Sequence, residues 1–231
     1  MKTVLVVVAH PDDEILACGA TIASLVKKGY QCYTLILGEG KTSRLDYRDK
    51  FTVIDELDEL SIEIQEANKI IGIKKVFTKK FPDNRFDSVD LIDIVKEIEK
   101  VKELVKPEII FTHHIGDMNI DHQITHQAVL TATRPMRDEY VKKIYSCEVP
   151  SATEWNSYSN ETIFIPNTFI DVSETIDIKI EAMSRYTSEL REFPHPRSLE
   201  YIKKLANISG AKVGLDYCEN FRLVRSIERF R

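Results

Sequence analysis

Apolar runs alternate with amphipathic stretches along the first two thirds of the chain. Thr3–Ala9 is apolar after its threonine and rich in valine, as expected of a strand that is covered on both faces of a parallel sheet. Ile15–Lys28 has apolar residues at helical spacing and is followed by Gly29, a residue that commonly ends helices. The same patterns predict strands at 30–37, 75–78, 108–112 and 143–148, and helices at 51–71, 90–104 and 123–133.

This order of elements predicts the fold class. Strands that alternate with helices form a parallel sheet, because right-handed crossovers place the helices on its faces. We therefore predict an α/β, Rossmann-like fold with a mostly parallel sheet and helices on both faces. The last third is less regular, and it predicts a strand at 162–170, helices at 174–189 and 200–208, and an extended segment at 221–224. Because no linker or repeat interrupts the sequence, we expect a single domain over residues 1–231.

Composition narrows the class of protein. The 231 residues carry a formal net charge of -5, which is the wrong sign for a nucleic-acid-binding surface. No uninterrupted apolar stretch reaches the length of a membrane span, and the N-terminus lacks a small-residue cleavage site, so we expect a cytoplasmic protein. The four cysteines form no CxxC pair, which favours buried thiols over a disulfide framework or a zinc knuckle.

Polar side chains follow two of the predicted strands. The valine-rich first strand runs directly into His10, Asp12, Asp13 and Glu14, although helix capping needs only one acidic residue and no histidine. The fourth strand runs into a second cluster, which contains His113, His114, Asp117, Asp121, His122 and His126. Histidine and carboxylate ligands that come from separate strand ends are typical of a catalytic zinc site. The sequence therefore predicts a metal site built from both loops, in which His126 is a helix residue and one of His113 and His114 points into the fold.

The segment Gly38–Arg44 (GEGKTSR) resembles a phosphate-binding loop only in part. That motif needs a glycine five residues before Gly40, and the residue there is Leu35. A helix should also begin directly after the lysine, and the following residues are poor helix formers. We instead expect a glycine-rich loop at the carboxyl edge of the sheet, with Arg44 facing a ligand.

The motif AHPDDE after a valine-rich strand, together with a DH pair about a hundred residues later, resembles the PIG-L/LmbE-like family. Members of this family are zinc-dependent deacetylases of N-acetylglucosamine-type sugars. The resemblance runs along most of the chain. Supporting segments are Gly38–Arg44, Pro82–Asp87 (PDNRFD) and His195–Ser198 (HPRS).

The resemblance implies roles for the two clusters. His10, Asp13 and His122 would bind the metal, Asp12 would be the general base, and Asp121, beside the ligand His122, is a candidate orienting residue. Two histidines and one carboxylate suit Zn²⁺, but another divalent ion such as Fe²⁺ also fits such a set. A metal lowers the pKa of its water towards ~7, and a neighbouring carboxylate can take the proton and return it to the leaving amine.

One position departs from the family pattern. The family commonly has a histidine three residues before the second metal-binding histidine, and this chain has Asn119 there. Asparagine can donate a hydrogen bond but cannot carry a proton. Either His113, His114 or His195 takes the place of the missing histidine, or Asp12 performs both proton transfers.

The sequence identifies substrate-binding residues less specifically than metal-binding ones. Arg44, Asn84, Asn119 and Arg197 are candidates to bind sugar hydroxyls or a phosphate, and His195 lies in a loop that two prolines make rigid. The alternatives are surface salt bridges for the arginines and a simple turn around Asn84. We expect the partner to be an N-acetylated sugar or its conjugate, and a homo-oligomer is compatible with the sequence.

Three functions remain open at this level. The leading hypothesis is a zinc-dependent hydrolase that removes the acetyl group from an N-acetylated amino sugar or its conjugate. An amidase that cleaves a larger amide could use the same scaffold. A non-catalytic sugar- or nucleotide-binding module is the third, and Asp12 argues against it because binding alone needs no base beside the metal.

Overall fold

Seven strands form one mixed sheet in the computed structural model, which describes residues 2–44, 53–157, 159–160 and 162–228. The strands are β1 (Thr3–Val8), β2 (Gln31–Gly38), β3 (Lys75–Phe81), β4 (Ile109–His113), β5 (Lys143–Cys147), β6 (Thr168–Asp171) and β7 (Cys218–Ser226). Their order is β3-β2-β1-β4-β5-β7-β6, in which the first five are parallel and β7 and β6 run antiparallel to their neighbours. The predicted mostly parallel sheet is confirmed.

Helices cover both faces of this sheet. They are α1 (Asp13–Lys27), α2 (Ile54–Ile71), α3 (Leu91–Val105), α4 (Ile120–Ala132), α5 (Ile176–Met183) and α6 (Leu199–Ala211). Helices α1, α2 and α5 pack together over one apolar core, and α3 and α4 pack over the other. The side chains of β1 alternate between the two cores, with Val4, Val6 and Val8 in the first and Leu5 and Val7 in the second. The valine-rich pattern of β1 therefore reflects burial on both faces, as predicted.

The strand order places a crevice between β1 and β4. The chain passes from β1 to β2 and β3 on one side, and then crosses back to β4 on the other side of β1. In open α/β sheets such a reversal separates the loops that follow the two strands, and ligands bind outside the carboxyl ends there. The two polar clusters follow β1 and β4 directly, so the fold brings them to this crevice.

Two predicted boundaries are wrong for identifiable reasons. The strand predicted at 162–170 is confined to Thr168–Asp171, because the backbone around Ile163 turns and donates to Ser159 instead of pairing with a strand. Helix α4 begins three residues before the predicted 123, because Asn119 accepts a hydrogen bond from the Asp121 N–H and caps the helix. Residues 51–52 of the predicted second helix lie outside the described residues.

The helix predicted at 174–189 ends at Met183. Beyond it, the Tyr186 hydroxyl donates to the Glu14 carboxylate, and the Glu189 carboxylate accepts from Lys41. Beyond Met183 the chain thus makes side-chain contacts with residues far along the sequence and departs from the helix that the local pattern predicts.

The four cysteines are buried free thiols, as the sequence predicted. Cys18 lies within α1, Cys32 in β2, Cys147 in β5 and Cys218 in β7. Burial raises the pKa of Cys32 to about 12 and that of Cys218 to about 11, so both thiols stay protonated near neutral pH.

A buried ion pair fills a break in α1. The backbone of Cys18 has φ -151° and ψ 17°, so the helical hydrogen bonds are interrupted there. The Lys179 ammonium donates to the Leu16 carbonyl on one side of the break, and the Glu219 carboxylate accepts from the Thr21 N–H on the other. The Lys179 Nζ and Glu219 Oε1 atoms lie 2.6 Å apart. The pair thus supplies partners for backbone groups that the break leaves without helical ones.

We expect Lys179→Met to lower the free energy of unfolding by about 3–5 kcal/mol, because it leaves the Glu219 carboxylate buried without its cation. Urea denaturation measures this change. Lys203→Met is the matched control, since its ion pair with Asp177 is exposed and its loss should have no measurable effect. Adding Glu219→Gln to Lys179→Met should recover much of the loss. A single variant as stable as the wild type would contradict this role.

Candidate metal centre

Three side-chain atoms from two loops form a nearly equilateral triangle at the crevice. His10 Nδ1 lies 3.4 Å from Asp13 Oδ2, and His122 Nε2 lies 3.2 Å from the same oxygen. His122 Nε2 and His10 Nδ1 are 3.3 Å apart. Three ligands of a tetrahedral zinc, each about 2.0–2.1 Å from the ion, would stand about 3.3 Å from one another. The spacing and the donor set therefore fit a zinc-sized divalent cation.

The outward-facing nitrogen of each histidine meets a carboxylate. His10 Nε2 lies 2.9 Å from Asp121 Oδ2, and His122 Nδ1 lies 3.1 Å from Asp117 Oδ2. Metal-binding histidines usually have such partners, which fix the ring and its tautomer. Asp121, the candidate orienting residue, contacts His10 and not the adjacent His122. The corresponding contact with His122 is made by Asp117.

Hydrogen bonds from near and distant parts of the chain hold both carboxylates in place. Asp117 accepts from the Asn119 N–H and from the Thr153 hydroxyl, and Asp121 accepts from the Phe86 N–H. Asp117 and Asp121 are fully buried. Burial raises the pKa of Asp117, but the charge of His122 more than offsets this and lowers it below the ordinary value. Both carboxylates are therefore held in place, and Asp117 is ionised at neutral pH.

The charged groups in and around the triangle shift the pKa values of its residues. Burial raises the pKa of Asp13, but the charges of His122 and His113 lower it well below its usual range. Burial lowers the pKa of His122, while Asp13 and Asp117 raise it to about 9. The carboxylates therefore create a region of negative potential in which a cation is favoured.

Asp12 stands beside the triangle in an unusual backbone conformation. Its φ of 90° lies in the left-handed region, which is strained for a residue other than glycine. Its Oδ2 atom is buried without a hydrogen-bond partner among the described residues, and Arg197 Nη1 lies 3.5 Å away. Burial raises the pKa of Asp12 to about 8, although Arg197 acts in the opposite direction. Such a carboxyl can exchange a proton near neutral pH.

A polar cavity of about 180 Å³ opens beside Asp12. Among the predicted substrate-binding residues, Asn84, Asn119 and Arg197 line it. Asn119 Nδ2 donates to Asn84 Oδ1, and Asn84 Nδ2 donates to Asp83 Oδ1, so these amides form a short chain along the wall. Amide and carboxylate groups in this arrangement can exchange hydrogen bonds with hydroxyl groups of a ligand.

Glu189 forms ion pairs with two other residues that line the cavity. One of its oxygens lies 2.7 Å from Lys41 Nζ, and the other lies 3.0 Å from Arg197 Nη1. Arg197 Nε also donates to the Ser151 hydroxyl. The lysine of the Gly38–Arg44 segment is therefore buried in an ion pair and does not face a phosphate. The segment itself lines the cavity through Gly40, Lys41 and Ser43.

One predicted substrate-binding residue is not brought into the cavity, and the side chain of a second is not described. His195 is partly exposed, accepts from the Arg197 N–H and does not line the cavity that the described residues form. The side chain of Arg44 lies outside the described part of the chain. His113 and His114 are both buried behind the site, where His113 accepts from the Ala9 N–H and His114 contacts the Thr162 carbonyl. His126 is buried as well.

The sequence analysis assigned no role to three carboxylates that hold other residues of the site in place. Asp83 lies 3.4 Å from His10 Nε2, and Asp117 and Glu189 hold His122 and Arg197. Asp83 falls in a segment that reads as a turn, and Glu189 falls in a predicted helix. Asp117 carried a usable signal, since it lies between a strand-end histidine pair and the DH motif.

Sequence comparisons agree with this geometry. The family model described as "PIG-L: GlcNAc-PI de-N-acetylase" matches residues 5–133. The chain is 27% identical to the uncharacterized deacetylase YaiS of Escherichia coli (strain K12), over 81% of this chain and 91% of that protein. It is also 27% identical to a probable N-acetyl-alpha-D-glucosaminyl L-malate deacetylase 2 of Bacillus cereus, over 81% of this chain and 84% of that protein.

The same fold also occurs in a solved structure of a protein whose named reaction is not deacetylation. The 4-carboxy-2-hydroxymuconate hydratase GalB of Pseudomonas putida KT2440 superposes with a TM-score of 0.75 at 22% identity, covering all of both chains. Because one fold can carry different chemistry, the residues of the site must decide between reactions.

We expect Asp117→Asn to weaken zinc binding by roughly 10–100-fold, because the amide keeps the shape of the side chain but loses the charge beside His122. Competition with a chromogenic zinc chelator measures the affinity. Asp87→Asn is the control, since Asp87 is an exposed carboxylate in the nearby 3-10 turn Phe86–Ser88. Equal affinity in Asp117→Asn and the wild type would show that Asp117 does not support a metal ligand.

Proposed function

Because the chain belongs to the PIG-L family of GlcNAc-PI de-N-acetylases, we propose that it is a metal-dependent hydrolase that removes the acetyl group from an N-acetylated amino sugar or its conjugate. The observation that carries the proposal is the triangle of His10, Asp13 and His122 next to the Asp12 carboxylate, whose buried Oδ2 atom accepts no hydrogen bond from the described residues. A ligand set with an open side and an adjacent base is what amide hydrolysis by water requires.

His10, Asp13 and His122 would hold the metal, and zinc suits two nitrogens and one oxygen best. When bound, such an ion lowers the pKa of water and polarises the amide carbonyl. Asp121 would keep the His10 ring aligned, and Asp117 would do the same for His122. Fe²⁺ remains compatible with the same donors.

Asp12 would move the protons of the reaction. Its Oδ2 atom, which accepts no hydrogen bond from the described residues, would accept a proton from the attacking water and then deliver it to the leaving amine nitrogen. Asn119 cannot deliver a proton, and none of His113, His114 and His195 lines the cavity formed by the described residues. Both proton transfers therefore fall to Asp12. Arg197 would keep Asp12 in place and favour its ionised form before the first transfer.

The cavity wall favours a hydroxylated substrate. Asn84, Asn119 and Asp83 offer alternating donors and acceptors at one side, and Arg197 stands at the other. A sugar ring could exchange hydrogen bonds with both walls while its acetamido group lies beside Asp12. The names of the two relatives, both deacetylases, support this choice over the hydration reaction of the structural neighbour GalB.

Location and assembly stay predictions. No helix in the described residues has both the length and the apolar character that crossing a membrane requires. The expected cytoplasmic location, the absence of a nucleic-acid partner and a homo-oligomeric state rest on the sequence alone.

We expect Asp12→Asn to lower kcat for acetyl removal by about 10²–10⁴-fold, because the amide can neither accept nor return the proton. Release of primary amine from a panel of N-acetylated sugars measures the rate, and zinc content measured on the same samples should be unchanged. Asp87→Asn should behave as the wild type. A kcat within threefold of the wild type in Asp12→Asn would remove Asp12 from the mechanism.

A further inference from the structure

Glu14 has no role in the site as described so far, although it is buried beside it. It lies in the first turn of α1 and is 3% exposed. An acidic residue at this position of a helix usually faces solvent, where it favours the helix dipole without being desolvated. Burying a carboxylate is unfavourable unless other groups donate hydrogen bonds to it. The donors that face Glu14 therefore indicate what its burial serves.

One oxygen of Glu14 holds the backbone of Asp12. Glu14 Oε2 accepts a hydrogen bond of 3.1 Å from the Asp12 N–H. On the other side of Asp12, its carbonyl accepts from the N–H groups of Ile15 and Leu16, where α1 begins. The φ of 90° at Asp12 lies between these two anchors. Because Glu14 fixes one peptide group and α1 fixes the other, together they hold Asp12 in a conformation that a residue other than glycine rarely adopts.

The other oxygen of Glu14 is anchored by two further parts of the fold. Glu14 Oε1 accepts from Asn68 Nδ2 of α2 at 2.8 Å and from the Tyr186 hydroxyl at 2.5 Å. Asn68 is itself fixed, because its Oδ1 atom accepts from the Thr34 hydroxyl of β2. All three of these side chains are buried. Glu14 therefore connects the Asp12 backbone to α2, to β2 and to the segment after α5.

A carboxylate suits this position better than an amide of the same shape. Each hydrogen bond that the Glu14 side chain makes with the described residues is one that it accepts, two at Oε1 and one at Oε2. A glutamine has only one acceptor oxygen. That oxygen would face Asn68 and Tyr186, which supply two donors, and the amide nitrogen would then face the Asp12 N–H. The contact with Asp12 thus depends on a carboxylate.

We propose that Glu14 is a positioning residue, which holds the Asp12 backbone in its left-handed conformation and so directs the Asp12 carboxylate into the cavity. This inference rests on the proposed deacetylase function, because Glu14 acts through the base. Asp12 lines the cavity, with Arg197 at its carboxylate end and Glu14 at its backbone end. Two such anchors fix the place and the direction of the carboxylate, so the base need not reorganise before it takes a proton.

Steady-state kinetics of Glu14→Gln test the positioning role. Misplacing a catalytic group lowers the rate and leaves substrate binding intact, so kcat for amine release should fall about 10–100-fold while KM stays within about twofold. Zinc content should equal that of the wild type, because the substitution leaves His10, Asp13 and His122 unchanged. Burial raises the pKa of Glu14 to about 7, so the assays use about pH 8.5, where the carboxylate form prevails.

Two further variants separate positioning from a general loss of stability. Thr34→Val removes the hydroxyl at the far end of the network, so it should lower the free energy of unfolding and leave kcat unchanged. Tyr186→Phe keeps the ring and removes one donor from Glu14, and it should lower kcat by a smaller factor of about threefold. This variant carries the test if Glu14→Gln does not fold. An equal loss of kcat in Thr34→Val and Glu14→Gln would overturn the proposal.

Hydrogen exchange tests the same contact without catalysis. In NMR of the zinc-loaded protein, the Asp12 N–H should be protected in the wild type and exchange at least about tenfold faster in Glu14→Gln. A wild type that releases no amine from any N-acetylated sugar, together with this loss of protection, would contradict the proposed function and support the contact of Glu14 with Asp12. A wild-type kcat in Glu14→Gln would overturn the positioning role and leave the function standing. Loss of zinc from Glu14→Gln would overturn it in favour of a role at Asp13.

Discussion

Buried carboxylates at the carboxyl edge of the sheet repel one another, so this edge must also hold positive charge. Five aspartates are buried around the rings of His10 and His122, and they are Asp12, Asp13, Asp83, Asp117 and Asp121. Arg197 is shared with Glu189, so it offsets only part of this charge. Burying charges without partners is strongly unfavourable. A divalent cation at the triangle of His10, Asp13 and His122 would offset two more of these charges, and it would account for the charge that follows a hydrophobic strand.

The fold meets this constraint by bringing rigid elements together from distant parts of the chain. The loops after β1 and β4 supply the triangle because the strand order reverses between these two strands. The loop after α5 supplies Glu189 and Arg197, which position Asp12 from the other side. Behind the site, helix α1 is interrupted. The buried ion pair of Lys179 and Glu219 supplies hydrogen-bond partners for the backbone groups at that break. The strain at Asp12 is tolerated because these surrounding contacts determine its position.

Sequence patterns predicted the parts of the structure that follow from local chemistry. The valine run of β1 and the helical spacing of α1 and α3 were sufficient for the sheet and its layers. The patterns failed where distant contacts decide the conformation. Helix α5 ends at Met183 and Tyr186 beyond it donates to the distant Glu14, while the segment before Thr168 turns back on Ser159. For the same reason, the motifs located the side chains of the triangle, but only the structure showed that Asp121 faces His10 and Asp117 faces His122.

The metal content of the purified protein tests the central claim most directly. Wild type and His122→Ala, loaded with zinc and freed of excess ion by gel filtration, would be compared by atomic emission spectrometry, with circular dichroism to verify folding. Our account predicts about one zinc per chain in the wild type and a loss of most of it in the folded variant. A wild type that retains no metal, or a folded His122→Ala that retains as much as the wild type, would contradict the account.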